Sequence, residues 1–335
     1  MNDEIVPTIR RQIQGANRIL IVSHVRPDGD AVGSLLGLGL ALEALGKDVQ
    51  MVLDDGVPSG FHYLEGSERI KNHANGEFDL IITVDCSDLE RVGDALLRVR
   101  RSDGEDGGIP DINIDHHITN LNFARYNLVE TEAAATSEII ANHFSDFGLS
   151  LTQKVASALL TGIITDTLGF RTHNMMPPVL YTVAKLMEAG ADLPTLFSKA
   201  LYKRSFLTAR LWGLGLSKLK REGPIIWTSL TRKDRQSVGY PGRDDGDLIN
   251  LVSSIDEAAV AMVFVEQNNG SVKVSLRAQP GIDVSKVALG FGGGGHKAAA
   301  GAQLEGTLDE VQEKVLRATR ALLAEEQPSK PGPIF

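Results

Sequence analysis

The stretch of residues 19–34, ILIVSHVRPDGDAVGS, constrains the fold of this chain more than any other. Its first four residues are apolar and mostly β-branched, which is typical of a buried parallel strand. A loop punctuated by proline and glycine follows, and then a leucine-rich helical pattern begins. Open α/β sheets bind ligands at such strand-to-helix corners, and His24, Asp28 and Asp30 lie on this one. A solvated polar turn is the alternative, so the other strand ends must decide.

Strand and helix patterns alternate along the first part of the chain. Short apolar runs predict strands at residues 19–23, 49–53, 80–84 and 112–114. Helical periodicity and caps predict helices at residues 1–17, 31–46, 132–147, 152–166 and 177–188. This alternation favours an α/β fold with a parallel sheet that has helices on both faces.

The second part of the chain has a different pattern. Apolar runs predict strands at residues 224–230, 259–266 and 271–277, and the last two flank a hairpin turn signal. A helix over 307–324 follows. We therefore expect an N-terminal domain over 1–195, a helical linker over 196–222, a smaller α/β domain over 223–325 and a tail over 326–335.

Composition limits the classes of partner. A formal net charge of −9 argues against a general binder of duplex DNA, whose phosphate contacts need a basic surface. A small anionic ligand remains compatible with this charge where metal cations supply local positive charge. The lone cysteine, Cys86, leaves no internal disulfide framework and fits a reducing cytoplasm. The N-terminal segment has no apolar signal core, and no apolar run approaches the ~20 residues of a membrane span.

Acidic and imidazole side chains follow the predicted strands at their C-terminal ends, where the strands of a parallel sheet converge. These residues are His24, Asp28, Asp30, Asp85, Asp115, His116 and His117, and Asp166 adds a carboxylate in an apolar helical context. Taken singly, Asp85 could cap a strand end, 115–117 could be a solvated turn, and Asp166 could pair with an arginine.

Together, the four carboxylates of Asp28, Asp30, Asp85 and Asp166 balance the charge of two divalent cations. Burying such groups without a cation is costly. Oxygen and imidazole ligands without thiolate favour Mn²⁺, with Mg²⁺, Fe²⁺ and Co²⁺ as alternatives. The pattern is not that of a structural zinc site, because the cysteines are absent.

A known family carries the same motifs in the same order. HVRPDGDAVGS, VDCSD, DHH, TDTLGFR and GGGGHKAAAG, spread over about residues 15–325, closely resemble the DHH phosphoesterase family. The narrower resemblance is to the standalone bacterial group that combines oligoribonuclease with 3′-phosphoadenosine 5′-phosphate phosphatase. It implies an N-terminal DHH domain with two catalytic metals, a smaller C-terminal DHHA1 domain that grips substrate, and a site in the cleft between them.

The resemblance also implies roles for individual residues. One metal is held by His24, Asp28 and Asp85. The other is held by Asp30, Asp85, His116 and Asp166, with Asp85 bridging the two. Asp115 orients His116, and His117 faces the phosphate. Two metals about 3.5–4 Å apart share a hydroxide that attacks phosphorus in line with the leaving oxygen.

The glycine run before His296 allows two readings. Gly293, Gly294 and Gly295 could form a flexible hairpin, but a histidine and a small-residue helix start follow at once. Backbone N–H groups at a helix start favour an anion, so the run predicts a phosphate cradle to which His296 also donates. Arg277, at its strand end, and Arg171, after the TDT motif, are further candidates for phosphate contact. A salt bridge is the alternative for Arg171.

The expected function is hydrolysis of short oligoribonucleotides to mononucleotides and of 3′-phosphoadenosine 5′-phosphate to AMP. The metal ligands do not distinguish this from a phosphodiesterase acting on cyclic di-AMP or pApA. An inorganic pyrophosphatase or exopolyphosphatase, and a non-catalytic nucleotide sensor, are further alternatives. The sequence leaves the oligomeric state open, although homodimers are common among the proteins that this chain resembles.

Overall fold

The chain folds into two units, Met1–Lys203 and Arg204–Phe335, and the division falls within the predicted linker. The structure, a computed structural model, describes residues 2–97, 99–102, 104, 107–172 and 174–326. The predicted tail at 326–335 lies outside these residues apart from its first. In the part of the chain that the structure describes, no helix is both long and apolar enough to cross a membrane.

A five-stranded parallel sheet forms the centre of the first unit, in the strand order β2-β1-β4-β6-β7. The five strands are β1 Arg18–Val22, β2 Asp48–Val52, β4 Leu80–Val84, β6 Ile112–Asp115 and β7 Tyr126–Val129. A separate two-stranded sheet pairs β3 Glu77–Phe78 with β5 Arg100–Arg101. The sequence predicts the first four strands of the large sheet and misses β7, which is short and only partly buried.

Both faces of this sheet are covered, which explains why its strands are continuous apolar runs. In β1, Ile19 and Ile21 enter one core, whereas Leu20 and Val22 enter another on the opposite face. Because successive side chains of a strand point to opposite faces, a strand between two cores cannot alternate with polar residues. The predicted parallel sheet with two covered faces is confirmed.

The helices of the first unit pack around the sheet. They are α1 Asn2–Gly15, α2 Gly29–Ala44, α3 Thr136–Asn142, α4 Gln153–Asp166, α5 Pro177–Glu188 and α6 Leu193–Phe197. Short 3₁₀ turns at Ser59–Phe61, Ser67–Arg69 and Glu90–Leu96 and a π-helical turn at Ser198–Tyr202 connect other elements.

Glycines let α2 and α4 approach each other closely. A Cβ atom at Gly33 would lie 2.6 Å from the carbonyl oxygen of Ala158 and 2.8 Å from the backbone nitrogen of Gly162. No side chain larger than hydrogen fits there without a backbone shift. This close crossing sets the start of α2 beside the end of α4, where the candidate site residues of both helices lie.

The second unit is a six-stranded mixed sheet between two layers of helices, in the order β12-β13-β11-β10-β9-β8. Its strands are β8 Lys220–Glu222, β9 Ile225–Leu230, β10 Val260–Glu266, β11 Ser271–Ala278, β12 Gly294–His296 and β13 Ala299–Glu305. Its helices are α7 Phe206–Leu216, α8 Arg232–Val238, α9 Leu248–Val252, α10 Ser285–Leu289 and α11 Leu308–Glu326.

Alternation in β10 again separates two cores in this second unit. Met262 and Phe264 pack with residues of α10 and α11, whereas Val263 and Val265 pack with residues of α7, α8 and α9. The smaller α/β unit predicted for this part of the chain is therefore present, with its sheet covered on both faces.

The predicted helix over 132–147 is too long at both ends. The helix α3 begins at Thr136, because Ala135 has an extended backbone with φ −162° and ψ 154°. It ends at Asn142, and the chain then turns until Gly148, which has φ +77°. The periodicity of the sequence does not reveal these breaks, because they come from tertiary hydrogen bonds at the start and a glycine turn at the end.

The predicted helix start after the glycine run is wrong. Residues 299–305 form β13 instead, paired antiparallel with β11, and the residues before them form the edge strand β12. A Cβ atom at Gly293 would lie 2.2 Å from the carbonyl oxygen of Gly301, and Gly295 has φ +136°. The hairpin therefore requires glycine at 293 and 295, and a hairpin is the alternative interpretation of this stretch.

Candidate metal and catalytic site

Three adjacent strands of the first sheet bring their C-terminal ends to one place. His24 lies two residues beyond β1, Asp85 follows β4 directly, and His116 follows β6 directly. Asp30, in the first turn of α2, and Asp166, the last residue of α4, approach the same edge. The sheet thus assembles side chains from five separate segments at the position that the sequence predicts.

The loop between β1 and α2 is held by its own aspartate. Oδ1 of Asp28 accepts hydrogen bonds of 3.0 Å from the backbone N–H groups of Asp30 and Ala31, and so caps α2. Asp85 adopts a left-handed backbone conformation with φ +54°, which is uncommon for a residue other than glycine. Such strain is concentrated at functional sites, where the surrounding structure holds it in place.

One group of potential metal ligands consists of His24, Asp28 and Asp85. Nε2 of His24 lies 3.5 Å from Oδ2 of Asp85 and 3.9 Å from Oδ1 of Asp28. Its Nδ1 lies 2.8 Å from the carbonyl oxygen of Val25, an arrangement that assigns the proton to Nδ1 and leaves Nε2 as an acceptor. Nε2 is buried and has no hydrogen-bond partner, as expected for a nitrogen that binds a cation.

A second group consists of Asp30, His116 and Asp166, with one ligand atom of each within 4.8 Å of the others. Nε2 of His116 lies 3.3 Å from Oδ2 of Asp166 and 3.8 Å from Oδ1 of Asp85. Asp85 also belongs to a third group, with His116 and His117. It therefore lies between the two main groups, where the resemblance predicts a bridging ligand.

The structure corrects the predicted partner of Asp115. Its Oδ1 lies 2.7 Å from Nδ1 of His117, whereas Nδ1 of His116 lies 3.2 Å from the carbonyl oxygen of Ala133. Side chains alternate along an extended segment, so the carboxylate of Asp115, the last residue of β6, reaches the second histidine after it and not the first. Asp115 therefore orients His117, and a backbone carbonyl orients His116.

Mutual repulsion and burial shift the pKa values of the acidic groups. Burial, with the nearby charge of Asp85, raises the pKa of Asp30 to about 7. Burial, with the charge of Asp30, raises the pKa of Asp166 well above its usual range. Burial also favours the neutral form of His116, but the charges of Asp166, Asp30 and Asp85 outweigh it and raise its pKa to about 9.

The carboxyl group of Asp85 shows the opposite shift. Burial raises its pKa, but interaction with His24 and the charges of His117 and His116 lower it below the usual range. An ionised carboxylate buried among protonatable groups is expensive without a cation. The ligand groups consist of aspartate and histidine side chains and contain no thiolate. Their negative charge and the buried acceptor nitrogen of His24 therefore fit divalent cations with oxygen and nitrogen ligands.

Cys86, next to Asp85, does not take part in these clusters. Its thiol is buried and donates to the carbonyl oxygen of Asp88, and burial raises its pKa to about 12. A neutral thiol of this kind is a poor metal ligand, because the thiolate is the binding form.

Two sets of polar residues near the site are not apparent from strand-end positions. Asn120 donates to Oδ2 of Asp115 at 2.6 Å and to Oδ1 of Asn113 at 2.9 Å. Thr136 and Ser137 form hydrogen bonds with Asp30, and Thr136 also bonds Asp85. Thr136 and Ser137 are typical of a helix start, but the sequence pattern does not indicate that they bond aspartates in distant segments.

The predicted phosphate contacts lie in both units. Arg171, in the first, is exposed, and its Nε donates to the carbonyl oxygen of Leu168 at 2.9 Å. Among the residues that the structure describes, no ion pair joins it to an acid of the kind considered for it. In the second unit, Arg277 is half-buried on β11, near Asp245 and Asp247, and burial lowers its pKa. The predicted glycines Gly293, Gly294 and Gly295 and His296 lie at the hairpin of β12.

Comparison with family descriptions divides the chain in the same way. Residues 18–163 match the DHH family, N-terminal domain, and residues 237–325 match the DHHA1 domain. The first match contains every residue of the metal-ligand groups except Asp166, and the second contains Arg277 and the glycine hairpin.

Relatives resemble the chain over nearly its whole length. A bifunctional oligoribonuclease and PAP phosphatase NrnA of Thermus thermophilus is 33% identical over 94% of this chain and 93% of that protein. The crystal structure of an exopolyphosphatase-related protein from Bacteroides fragilis superimposes with a TM-score of 0.86 at 26% identity, covering 96% of this chain and 97% of the other.

More distantly, RecJ of Thermus thermophilus in complex with Mn²⁺ matches 95% of this chain and 55% of its own. Its TM-score of 0.53 at 15% identity shows a shared fold. The near full-length similarity to the oligoribonuclease and PAP phosphatase, with both domain matches, determines the family. The chain belongs to the DHH family, in the form that joins a DHH domain to a DHHA1 domain.

Proposed function

We propose that this protein is a metal-dependent phosphoesterase that cleaves short oligoribonucleotides to mononucleotides and 3′-phosphoadenosine 5′-phosphate to AMP. The observation that carries the proposal is the set of ligand groups around Asp85. Asp85 forms one group with His24 and Asp28 and another with His116, and His116 also forms a group with Asp30 and Asp166. The named activities of the relative from Thermus thermophilus, similar over 94% of this chain, support the choice of substrates. The acidic net charge of −9 also favours small anionic substrates over long duplexes.

In this proposal one divalent cation is held by His24, Asp28 and Asp85. The other is held by Asp30, Asp85, His116 and Asp166, the set that the family resemblance implies. We propose Mn²⁺ for both sites, because mixed carboxylate and imidazole ligands suit it. When bound, such a pair lowers the pKa of a water molecule and stabilises the charge that develops on a phosphoryl group.

The side chains of the chain prepare the site for this chemistry. The backbone carbonyls of Val25 and Ala133 face Nδ1 of His24 and of His116, so that Nε2 of each ring points at carboxylates. Asp115 engages Nδ1 of His117, which leaves Nε2 of that ring as the nitrogen that faces a phosphoryl oxygen. These fixed orientations reduce the reorganisation needed when substrate binds.

The second unit supplies the remaining contacts in this proposal. A terminal phosphate of the substrate is bound by Arg277 and His296, together with the backbone of Gly293, Gly294 and Gly295. The guanidinium group of Arg171, in the first unit, contributes a further positive charge. We also propose a cytoplasmic location, which suits a chain with one buried, reduced cysteine.

A single substrate panel tests the function. The protein with Mn²⁺ is assayed on pApA, a longer RNA, 3′-phosphoadenosine 5′-phosphate, cyclic di-AMP and pyrophosphate, and the values of kcat/KM are compared. We expect the largest values for pApA and 3′-phosphoadenosine 5′-phosphate. A preference for cyclic di-AMP or pyrophosphate would replace the proposed substrates with that one. No turnover on any of the five would refute the proposed function.

The variant Asp85→Ala, assayed on the same panel, tests the metal assignment. It should fold but lose turnover by at least about 10³-fold, because the metal charge supplies several kcal/mol of transition-state stabilisation. Retained Mn²⁺-dependent turnover in this variant would remove the assignment of Asp85 as a shared ligand.

A further inference from the structure

Thr136 contacts two of the buried carboxylates in the candidate site. Its backbone N–H donates to Oδ2 of Asp30 at 2.7 Å, and its hydroxyl donates to Oδ1 of Asp85 at 3.0 Å. The N–H of Ser137 donates to the other oxygen of Asp30 at 3.0 Å. Thr136 and both aspartates are buried. One residue thus links a carboxylate of the first metal group to a carboxylate of the second.

We propose that Thr136 is a positioning residue that sets the orientation of Asp30 and Asp85 for cation binding. This inference rests on the metal assignment in the proposed function. A carboxylate has about four lone-pair sites. The hydrogen bonds from 136 and 137 occupy one site on each oxygen of Asp30 and one on Oδ1 of Asp85, and the rest stay available to a cation. Partners of this kind hold metal ligands in place in many proteins.

The close packing of α4 restricts Asp30 from another direction. A Cβ atom at Gly162 would lie 2.6 Å from Oδ1 of Asp30 and 2.0 Å from Oγ of Ser137. The carboxylate of Asp30 is therefore held between the helix backbone at 162 and the N–H groups of 136 and 137. Asp85 has an unusual backbone conformation with φ +54°, so its side chain direction depends on such fixed contacts.

The two bonds of Thr136 can be separated experimentally. The backbone N–H groups that bond Asp30 complete the first turn of α3, and they remain in any variant of the side chain. Replacing Thr136 with valine keeps the β-branched shape and removes only the hydroxyl that donates to Asp85. A purely structural role in helix capping would therefore survive Thr136→Val, whereas the positioning role would not.

The test measures Mn²⁺ binding by calorimetry on the full chain, with turnover as a second measurement. Thr136→Val should bind Mn²⁺ about 10–100-fold more weakly, the usual effect of losing a partner of a metal ligand. Thr136→Ser keeps the hydroxyl and should bind like the wild type. Thr182→Val is the matched control, because Thr182 is also buried and bonds Asn142 through its hydroxyl at 2.7 Å, in α5 away from the ligand groups.

The result decides between clear alternatives. Wild-type affinity in folded Thr136→Val, or weakened affinity in folded Thr136→Ser, overturns the proposal. If Thr136→Val does not fold, Thr136→Ala provides the same comparison, and failure of both to fold assigns the hydroxyl a structural role and also overturns it. A wild type that binds Mn²⁺ but cleaves no substrate of the panel refutes the proposed function alone, and a wild type that does not bind Mn²⁺ refutes both.

Discussion

Nδ1 of His117 lies 2.7 Å from Oδ1 of Asp115, and the carboxylate is completely buried. Oδ2 of the same carboxylate accepts a hydrogen bond from Asn120 at 2.6 Å, so both of its oxygens are engaged. The orientation of the His117 ring is therefore determined by a residue that is not among those assigned to the proposed cations. This relationship makes Asp115 a positioning residue for the histidine assigned to the phosphate.

Changing Asp115 to asparagine should lower kcat for pApA by about 10–100-fold. The amide presents a donor or a weaker acceptor to Nδ1 of His117, so the ring loses its fixed orientation. Because His117 is not among the residues assigned to the two proposed cations, Mn²⁺ affinity should change much less than kcat. Steady-state kinetics and calorimetry measure the two effects, and an unchanged kcat would contradict the role of Asp115.

Bound cations should stabilise the folded protein. At a free Mn²⁺ concentration 100 times the dissociation constant, one site adds about 2.7 kcal/mol to the free energy of unfolding. Chemical denaturation with Mn²⁺ and with EDTA measures this difference. Asp85→Ala, which removes the ligand shared by the groups, should show little or none of it. A wild type whose unfolding is insensitive to Mn²⁺ would argue against resident cations.

A buried ion pair outside the site should be essential for stability. Arg101 and Asp111 are both buried, with Nη1 and Oδ2 separated by 2.7 Å, and Oδ2 also accepts from the backbone N–H of Ile81. Asp111→Ala takes the carboxylate away from the buried guanidinium of Arg101 and from the N–H of Ile81, so it should reduce the free energy of unfolding by about 3–5 kcal/mol, the usual effect of breaking a buried pair.

Urea denaturation measures this loss, and an exposed ion pair serves as the comparison. Arg320 and Glu222 form a hydrogen-bonded pair at the surface of the second unit. Glu222→Gln should leave the denaturation midpoint nearly unchanged, because solvent screens such pairs. Equal effects of the two substitutions would show that burial of the Arg101 pair does not matter.

His143 should make stability depend on pH near neutrality. A hydrogen bond to Glu130 at 2.8 Å and interaction with Asp146 raise the pKa of its imidazole, although burial opposes the shift. A histidine with a raised folded pKa stabilises the protein fully below its unfolded value of about 6.5, and loses this contribution as the pH rises through the folded value.

The variant His143→Gln isolates this effect. The free energy of unfolding should differ between wild type and variant more at pH 6 than at pH 9, because the contribution of the charged imidazole is lost as the pH rises. Denaturation at the two pH values gives the comparison. A difference that is constant, or that grows with pH, would contradict the assigned pKa shift.

Strand ends could be predicted because their signal is local. Residues 19–22 and 80–84 are apolar runs, and the physics of a parallel sheet places the residues after them at one edge. The predicted convergence of His24 and Asp85 needs no further information, and the structure gives 3.5 Å between Nε2 and Oδ2 of these residues. The glycine run, in contrast, satisfies the requirements of a hairpin and of an anion cradle equally well in sequence.

The sequence by itself determined the parallel sheet, the family motifs and the convergence of acidic and imidazole residues. Tertiary structure alone decided that Asp115 engages His117, that residues 299–305 pair with β11, and that Asp30 bonds Thr136 across 106 positions. The physical reason is the separation along the chain of the groups that interact. Hydrophobic periodicity reports the local backbone, whereas the choice of a hydrogen-bond partner depends on distances between segments that only the folded chain fixes.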